Sequence, residues 1–205
     1  MKLLEILMYL LFSYSLGALN SAYILTFVFY KKDIRKFGDG NAGTTNVFEN
    51  INRFLAMIVF IIDFLKGVLP IYIGIKLNQG NGIVALGGAA EILGHDFPVL
   101  FGLKGGTGIT SLLGGIFAIN SNLAVVLFVV FALLFVFFSF SDIRLFNFKP
   151  LEESEALTFV VAIFLILSSR NTLLKEYFFL SLAIIIYRHF QKALYVLSKI
   201  RVLKS

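Results

Sequence analysis

Cysteine is absent from this chain of 205 residues, which excludes disulfide staples, thiolate metal sites and a cysteine nucleophile. Charge is scarce too: only 15% of residues are Asp, Glu, Lys or Arg, against 59% hydrophobic. No internal repeat and no soluble insert interrupt the pattern, so residues 1–205 read as a single domain. What is abundant is phenylalanine, 24 residues, and the mean hydropathy of +0.90 fits a chain dissolved in lipid rather than one burying a core in water. The net charge of +6 does not point to nucleic acid, because the basic residues flank apolar runs, where they set topology and meet anionic head groups. The first apolar run is too long for the core of a cleavable signal peptide and is expected to be a span.

A membrane-crossing helix needs about 20 mostly apolar residues. Seven spans are expected on that basis, from Leu4 to Tyr30, Arg53 to Leu77, Gly82 to Phe101, Gly108 to Asn120, Leu123 to Phe140, Glu155 to Ser168 and Leu173 to Leu197. The predicted fold is therefore an all-α integral membrane bundle. Lys31, Lys32, Arg35, Lys36, Arg53, Lys104, Arg144, Lys149, Arg188, Lys192, Lys199, Arg201 and Lys204 fall on one face, and Lys2, Lys76, Arg170 and Lys175 on the other. That asymmetry of 13 against 4 predicts the N-terminus outside and the C-terminus in the cytoplasm. The stretch from Arg144 to Glu155 reads as a solvated acidic loop.

Two glycine-rich polar segments stand out against this apolar background. One runs Gly38-Asp39-Gly40-Asn41-Ala42-Gly43-Thr44-Thr45-Asn46; the other is Gly94-His95-Asp96-Phe97-Pro98 with Lys104-Gly105-Gly106-Thr107-Gly108. Exposed backbone N–H groups of this density are not tolerated against lipid, so both must lie at the membrane surface or in a polar cavity. On the topology above, both meet the loop after Phe140 and the basic end of the last helix on the cytoplasmic side. Gly38, Gly40 and Gly43 have dinucleotide-fingerprint spacing, but a membrane helix and a basic stretch precede them instead of a buried strand. The second segment is no Walker loop. Both suit an oxyanion or phosphate, with Asn41, Thr45, Asn46 and Lys104 nearby. Eleven of the 17 glycines lie between Gly80 and Gly115, and Gly87, Gly88, Gly114 and Gly115 are expected to serve close helix packing.

Ionisable groups inside spans are costly and are functional candidates. Asp63 and Lys66 share a helix face, either as a brace for the bundle or as a substrate contact; Glu91 and His95 are likewise one turn apart. A transporter would show paired interrupted helices in matching halves, and none is evident.

The ordered motifs resemble those of one family, the bacterial acyl-phosphate-dependent glycerol-3-phosphate acyltransferases of phospholipid synthesis. Gly38 to Asn46 resembles its GSGNxGATN loop, Asp63-Phe64-Leu65-Lys66-Gly67-Val68-Leu69-Pro70 its D-x-x-K-G-x-x-P helix, and Gly94 to Val99 with Lys104-Gly105-Gly106 its GHxFPV…KGGKG stretch. Tyr187-Arg188-His189 is similar to its histidine-bearing motif, and Ser139 to the first serine of an S-x-x-S stretch. The resemblance implies a multi-pass protein of the bacterial cell membrane, with acyl phosphate and glycerol 3-phosphate as substrates beside membrane lipids. It implies no cofactor and no metal. His189 and Lys104 would be catalytic. Gly38, Gly40, Asn41, Gly43, Thr45, Asn46, His95, Gly105, Gly106 and Ser139 would bind substrate, and Asp63 and Lys66 would support them.

This chain departs from the family pattern at several of those motifs. Asp39 stands for serine, Glu49 for arginine, Asp142 for the second serine of S-x-x-S, Thr107 for lysine, and Phe190 and Lys192 for arginine and asparagine. The exchanges remove cations and add carboxylates, so affinity for a phosphate is expected to fall, with Arg35, Lys36 or Arg53 as candidate compensators for Glu49. Two alternatives follow: a paralogue with another acceptor, such as a neutral or cationic alcohol or amine, or a catalytically silent protein that binds lipid or a partner.

Overall fold

A computed structural model describes residues 3–141, 143, 145 and 149–202, with side chains described as far as Gln191. Asp142 and Arg144 lie outside the described residues, as does the side chain of Lys192. Nine helices are found among the described residues: α1 (Leu3–Gly17), α2 (Ser21–Tyr30), α3 (Thr44–Asn50), α4 (Arg53–Lys76), α5 (Asn81–Asp96), α6 (Ile109–Ile119), α7 (Ser121–Phe140), α8 (Pro150–Ser168) and α9 (Thr172–Val202). Helix α4 packs on α6, α5 lies between α1 and α9, and α7 leans on α8.

Four of the expected spans are long and apolar enough to cross a membrane: Leu3–Tyr30, Arg53–Lys76, Asn81–Phe101 and Ser121–Phe140. The other three expected spans are also helices, with different bounds. Helix α6, with 11 residues, reaches about 16 Å, short of the roughly 30 Å of a hydrocarbon core. Helix α8 begins at Pro150, so its first turns carry Glu152, Glu153 and Glu155; α9 extends to Val202.

The expected first span is broken in two. Asn20 starts α2 by accepting the Tyr23 N–H at 3.0 Å, and the chain between α1 and α2 leaves the Leu19 carbonyl free of any helix. That carbonyl takes a bond of 2.6 Å from the Lys66 ammonium. The break therefore answers a buried charge on α4. The expected acidic loop is also corrected. Pro150 at the first position and the Lys149 N–H to Glu152 bond (3.3 Å) nucleate α8, and Glu153 is fully buried.

Packing glycines do what the sequence suggested. A Cβ on Gly114 would strike the Phe64 carbonyl, one on Gly67 the Ser111 carbonyl, and Gly88 and Gly115 make room for the Tyr177 ring. Backbones of α4 and α6 thus approach directly. One apolar core runs through α5, α6, α8 and α9 around Ile92, Leu112, Ile166, Leu174 and Phe178; a smaller one, around Ile34, Val47, Ala56 and Val59, seats the first glycine segment.

Candidate active site

The first glycine segment folds around one amide. Asn46, buried on α3, donates from Nδ2 to the carbonyls of Ile34 (3.2 Å), Phe37 (2.9 Å) and Asn41 (2.8 Å), while its Oδ1 accepts from Asn50. Gly38 and Gly40 turn the loop at φ +54° and +75°, values costly for other residues. The second segment is pinned to the end of α5 by Gly105 N–H to the Asp96 carbonyl (3.2 Å) and Gly106 N–H to the His95 carbonyl (3.1 Å). A side chain on Gly106 would hit the His95 ring. These glycines exist to let the backbone lie against His95.

Between the segments lies a cavity of about 790 Å³ walled by Asp39, Asn41, Gly43, Thr44, Thr45, Asp63, His95, Thr107 and Gly108, by Glu152 and Glu155 of α8, and by Ile185, Ile186, His189 and Phe190 of α9. Five distant stretches of chain meet there: both glycine segments, α4, α8 and α9. A second cavity of about 260 Å³ adjoins it through Thr44, Thr45, Ile109, Thr110, Leu151, Glu155 and Phe159, and continues along Phe60, Phe128, Phe131 and Phe135. The first chamber carries its polar and charged groups among apolar walls, whereas the second is almost wholly apolar. Helix α6 starts at the shared wall with Gly108 as its cap and no side-chain cap bond, so its first-turn N–H groups are available to an anion.

Beneath the polar cavity lies a buried charge network. Asp63 Oδ1 accepts from Lys66 Nζ at 2.8 Å and from Ser21 Oγ at 2.5 Å, with His95 Nδ1 3.9 Å away. Ser111 Oγ lies 3.1 Å from both the Asp63 carbonyl and Glu91 Oε1. Of the pair, Asp63 reaches the cavity wall and Lys66 is spent on Asp63 and Leu19. On α9, His189 Nδ1 is 2.9 Å from the Ile185 carbonyl. A carbonyl only accepts, so Nδ1 carries the hydrogen, and in the neutral imidazole Nε2 keeps its lone pair.

The expected site residues divide by this geometry. Asn41, Gly43, Thr45, Asp63, His95 and His189 line the polar cavity. Gly38, Gly40, Asn46, Gly105 and Gly106 shape its walls from behind. Lys104 is exposed on the turn after Leu103 (φ +60°), with its carbonyl accepting from Asn20 at 3.4 Å; neither it nor Ser139 is part of the cavity lining. The sequence places Arg188 in the histidine-bearing motif without a role; its Nη2 and Nε donate to the carbonyls of Gly105 (2.9 Å) and Gly106 (3.1 Å). Its only signal was a cation directly before the histidine.

Two of the three candidate compensators for Glu49, Arg35 and Arg53, are committed elsewhere, and Lys36 is exposed. Arg35 chelates Asp33, donates to the Phe101 carbonyl at 2.9 Å and lies over Tyr23. Its guanidinium holds the Asp33 carboxyl below the usual carboxylate range. Arg53 covers the Phe48 ring. Glu49 instead takes Lys149 Nζ at 2.7 Å, which pushes that ammonium up from its ordinary value.

Fold and site together define an α-helical integral membrane protein whose polar cavity opens into an apolar one, a plan suited to a charged head and a fatty tail. The chain belongs to the glycerol-3-phosphate acyltransferase family, whose model matches residues 7–199. A glycerol-3-phosphate acyltransferase of Anaplasma marginale (strain Florida) is 38% identical over 131 residues, 64% of this chain and 66% of that protein. One of Francisella tularensis subsp. holarctica (strain OSU18) is 42% identical over 111 residues, 54% of each. The matched segment thus spans about two thirds and about half of these relatives. The crystal structure of PlsY, an integral membrane glycerol 3-phosphate acyltransferase, in its glycerol 3-phosphate form superposes with a TM-score of 0.77 at 29% identity, covering 95% of this chain and 93% of that one.

Proposed function

We propose that the chain transfers an acyl group from acyl phosphate to the primary hydroxyl of glycerol 3-phosphate, giving lysophosphatidic acid and inorganic phosphate. The observation that carries this reading is the shared wall of the two cavities, with His189 on the polar side and the phenylalanines of α4 and α7 on the apolar side. The hydroxyl oxygen attacks the acyl carbon, the bond from that carbon to the phosphate oxygen breaks, and phosphate leaves with the electron pair. His189 Nε2 accepts the hydroxyl proton. An acyl phosphate is already activated, so holding two anions in line and stabilising the carbonyl oxyanion supplies most of the acceleration. The first-turn amides of α6, with Asn41, Thr45 and Thr107, serve the charged oxygens. Lys104, exposed beside the second glycine segment, draws in the anionic donor rather than touching reacting atoms.

The same reading puts the cavity on the cytoplasmic side of a bacterial cell membrane, N-terminus outside and C-terminus inside, with the acyl tail entering from the bilayer. Four carboxylates on the wall, Asp39, Asp63, Glu152 and Glu155, favour a second reading in which the acceptor lacks a phosphate. It is the weaker one, because Asp63 is paired with Lys66, Asp39 Oδ1 takes the Asn41 N–H at 2.9 Å and Glu152 takes the Lys149 N–H. The test is purified chain in lipid nanodiscs with acyl phosphate and labelled glycerol 3-phosphate, glycerol or ethanolamine. Lysophosphatidic acid lost in His189→Ala supports the proposal. Labelled glycerolipid or acylamide from the other acceptors alone selects the second reading, and a folded protein inert with all three sinks both.

A further inference from the structure

We infer that Arg188 is a positioning residue for His189, fastening the end of α9 to the second glycine segment so that the imidazole is held at the polar cavity. The inference rests on the acyl-transfer reading, but its geometry does not. The Arg188 fork grips two successive carbonyls, Gly105 and Gly106, at 2.9 and 3.1 Å, and its guanidinium lies 5.4 Å from the centroid of the Phe97 ring. Those two carbonyls belong to the segment whose N–H groups are bonded to the end of α5, against His95. Asp39 of the first segment and Asp96 of α5 lie within electrostatic reach of the same guanidinium. One side chain thus ties the second glycine segment to the helix that carries His189, and its charge faces a carboxylate of the first.

The chemistry of the grip requires arginine. Two parallel N–H donors on a rigid plane match two adjacent carbonyls, whereas an ammonium offers a point charge and no fixed direction. His189 itself is held by one bond, from Nδ1 to the carbonyl of its own helix, which sets the tautomer but not where that helix sits. Among the described residues, core packing of α9 ends at Ile185, so beyond it the position of Nε2 relative to α6 and the first segment depends on the Arg188 grip. A displacement near 1 Å of a reacting group costs up to roughly a hundredfold in rate.

The chain has two histidines, so protein labelled with nitrogen-15 histidine in nanodiscs gives two imidazole signal pairs, assigned with His95→Gln and His189→Gln. Arg188→Lys and Arg188→Gln are expected to move or broaden the His189 pair at unchanged fold, judged by thermal midpoint and circular dichroism. In turnover, Arg188→Lys lowers kcat at least tenfold with KM for both substrates within twofold, because it misplaces the base rather than weakening uniform binding. Adding Arg188→Gln to His189→Ala lowers the residual rate less than threefold, since the residue acts through the one already removed. Unmoved His189 signals overturn the inference, as do losses that multiply in the double variant. A wild-type chain with no turnover defeats the acyl-transfer reading, while the imidazole signals still decide whether Arg188 sets His189.

Discussion

Asp39 and Thr107 line the polar cavity at the two positions where the resembled motifs carry serine and lysine. Asp39 spends one oxygen on the Asn41 N–H, yet a carboxylate beside a phosphate still weakens binding, and Thr107 offers a hydroxyl where an ammonium would give a charge-assisted bond worth about 1.5–3 kcal/mol. Combining Asp39→Ser with Thr107→Lys is expected to lower KM for glycerol 3-phosphate at least tenfold in the transfer assay; an unchanged KM sinks this account of the two positions. Glu49 is a different case. Its bond to Lys149 joins side chains 33% and 61% exposed, and such pairs contribute about 0–1 kcal/mol. Glu49→Gln should therefore shift the denaturation free energy by less than about 1 kcal/mol, and a larger loss in chemical denaturation would show that the bridge closes the gap between α3 and α8. At this scale the sequence singles out His189 as a candidate through its motif, but not its tautomer. That depends on the Ile185 carbonyl one turn earlier, which becomes visible only once the helix is built.

Among elements, the contact of α4 with its neighbours decides most of the architecture. Asp63 and Lys66 are nearly fully buried, and removing one partner of such a pair leaves an uncompensated charge at a cost of about 3–5 kcal/mol. Lys66→Met is expected to lose that much stability, and Asp63→Asn combined with it should recover a large part; equal losses in single and double variants would contradict the pairing. Lys66 has a second duty that the sequence hid. Because its ammonium reaches the Leu19 carbonyl, the apolar run from Leu3 to Tyr30 cannot continue as one helix. Hydropathy averages over Asn20 and Ser21, two polar residues in a long apolar run, and so reads the break as a continuous span. The glycines were more legible, since small residues in a membrane helix have few other uses. Gly114→Leu is expected to drive α6 from α4 and abolish the folded state, seen as loss of the monodisperse peak in detergent, whereas Gly80→Ala, with open space around it, should leave the peak intact.

The whole molecule is organised by convergence. Two glycine segments, the start of α8 and the end of α9 reach one cavity, and the two segments and the basic end of α9 were assigned to a common face from charge asymmetry and loop composition. The start of α8 was mistaken for a solvated loop because three glutamates in four residues look like surface; the capping proline and the burial of Glu153 are tertiary facts. The apolar chamber could not be read from sequence at all, because phenylalanines facing a cavity and phenylalanines facing lipid have the same composition. The joining of that chamber to the polar one is the centre of the functional reading, and its most direct test is stoichiometry. Nanodiscs holding the purified chain, given acyl phosphate and glycerol 3-phosphate, should release lysophosphatidic acid and inorganic phosphate one for one. Phosphate without lysophosphatidic acid, or neither product from a folded protein, would contradict a cavity built for acyl transfer.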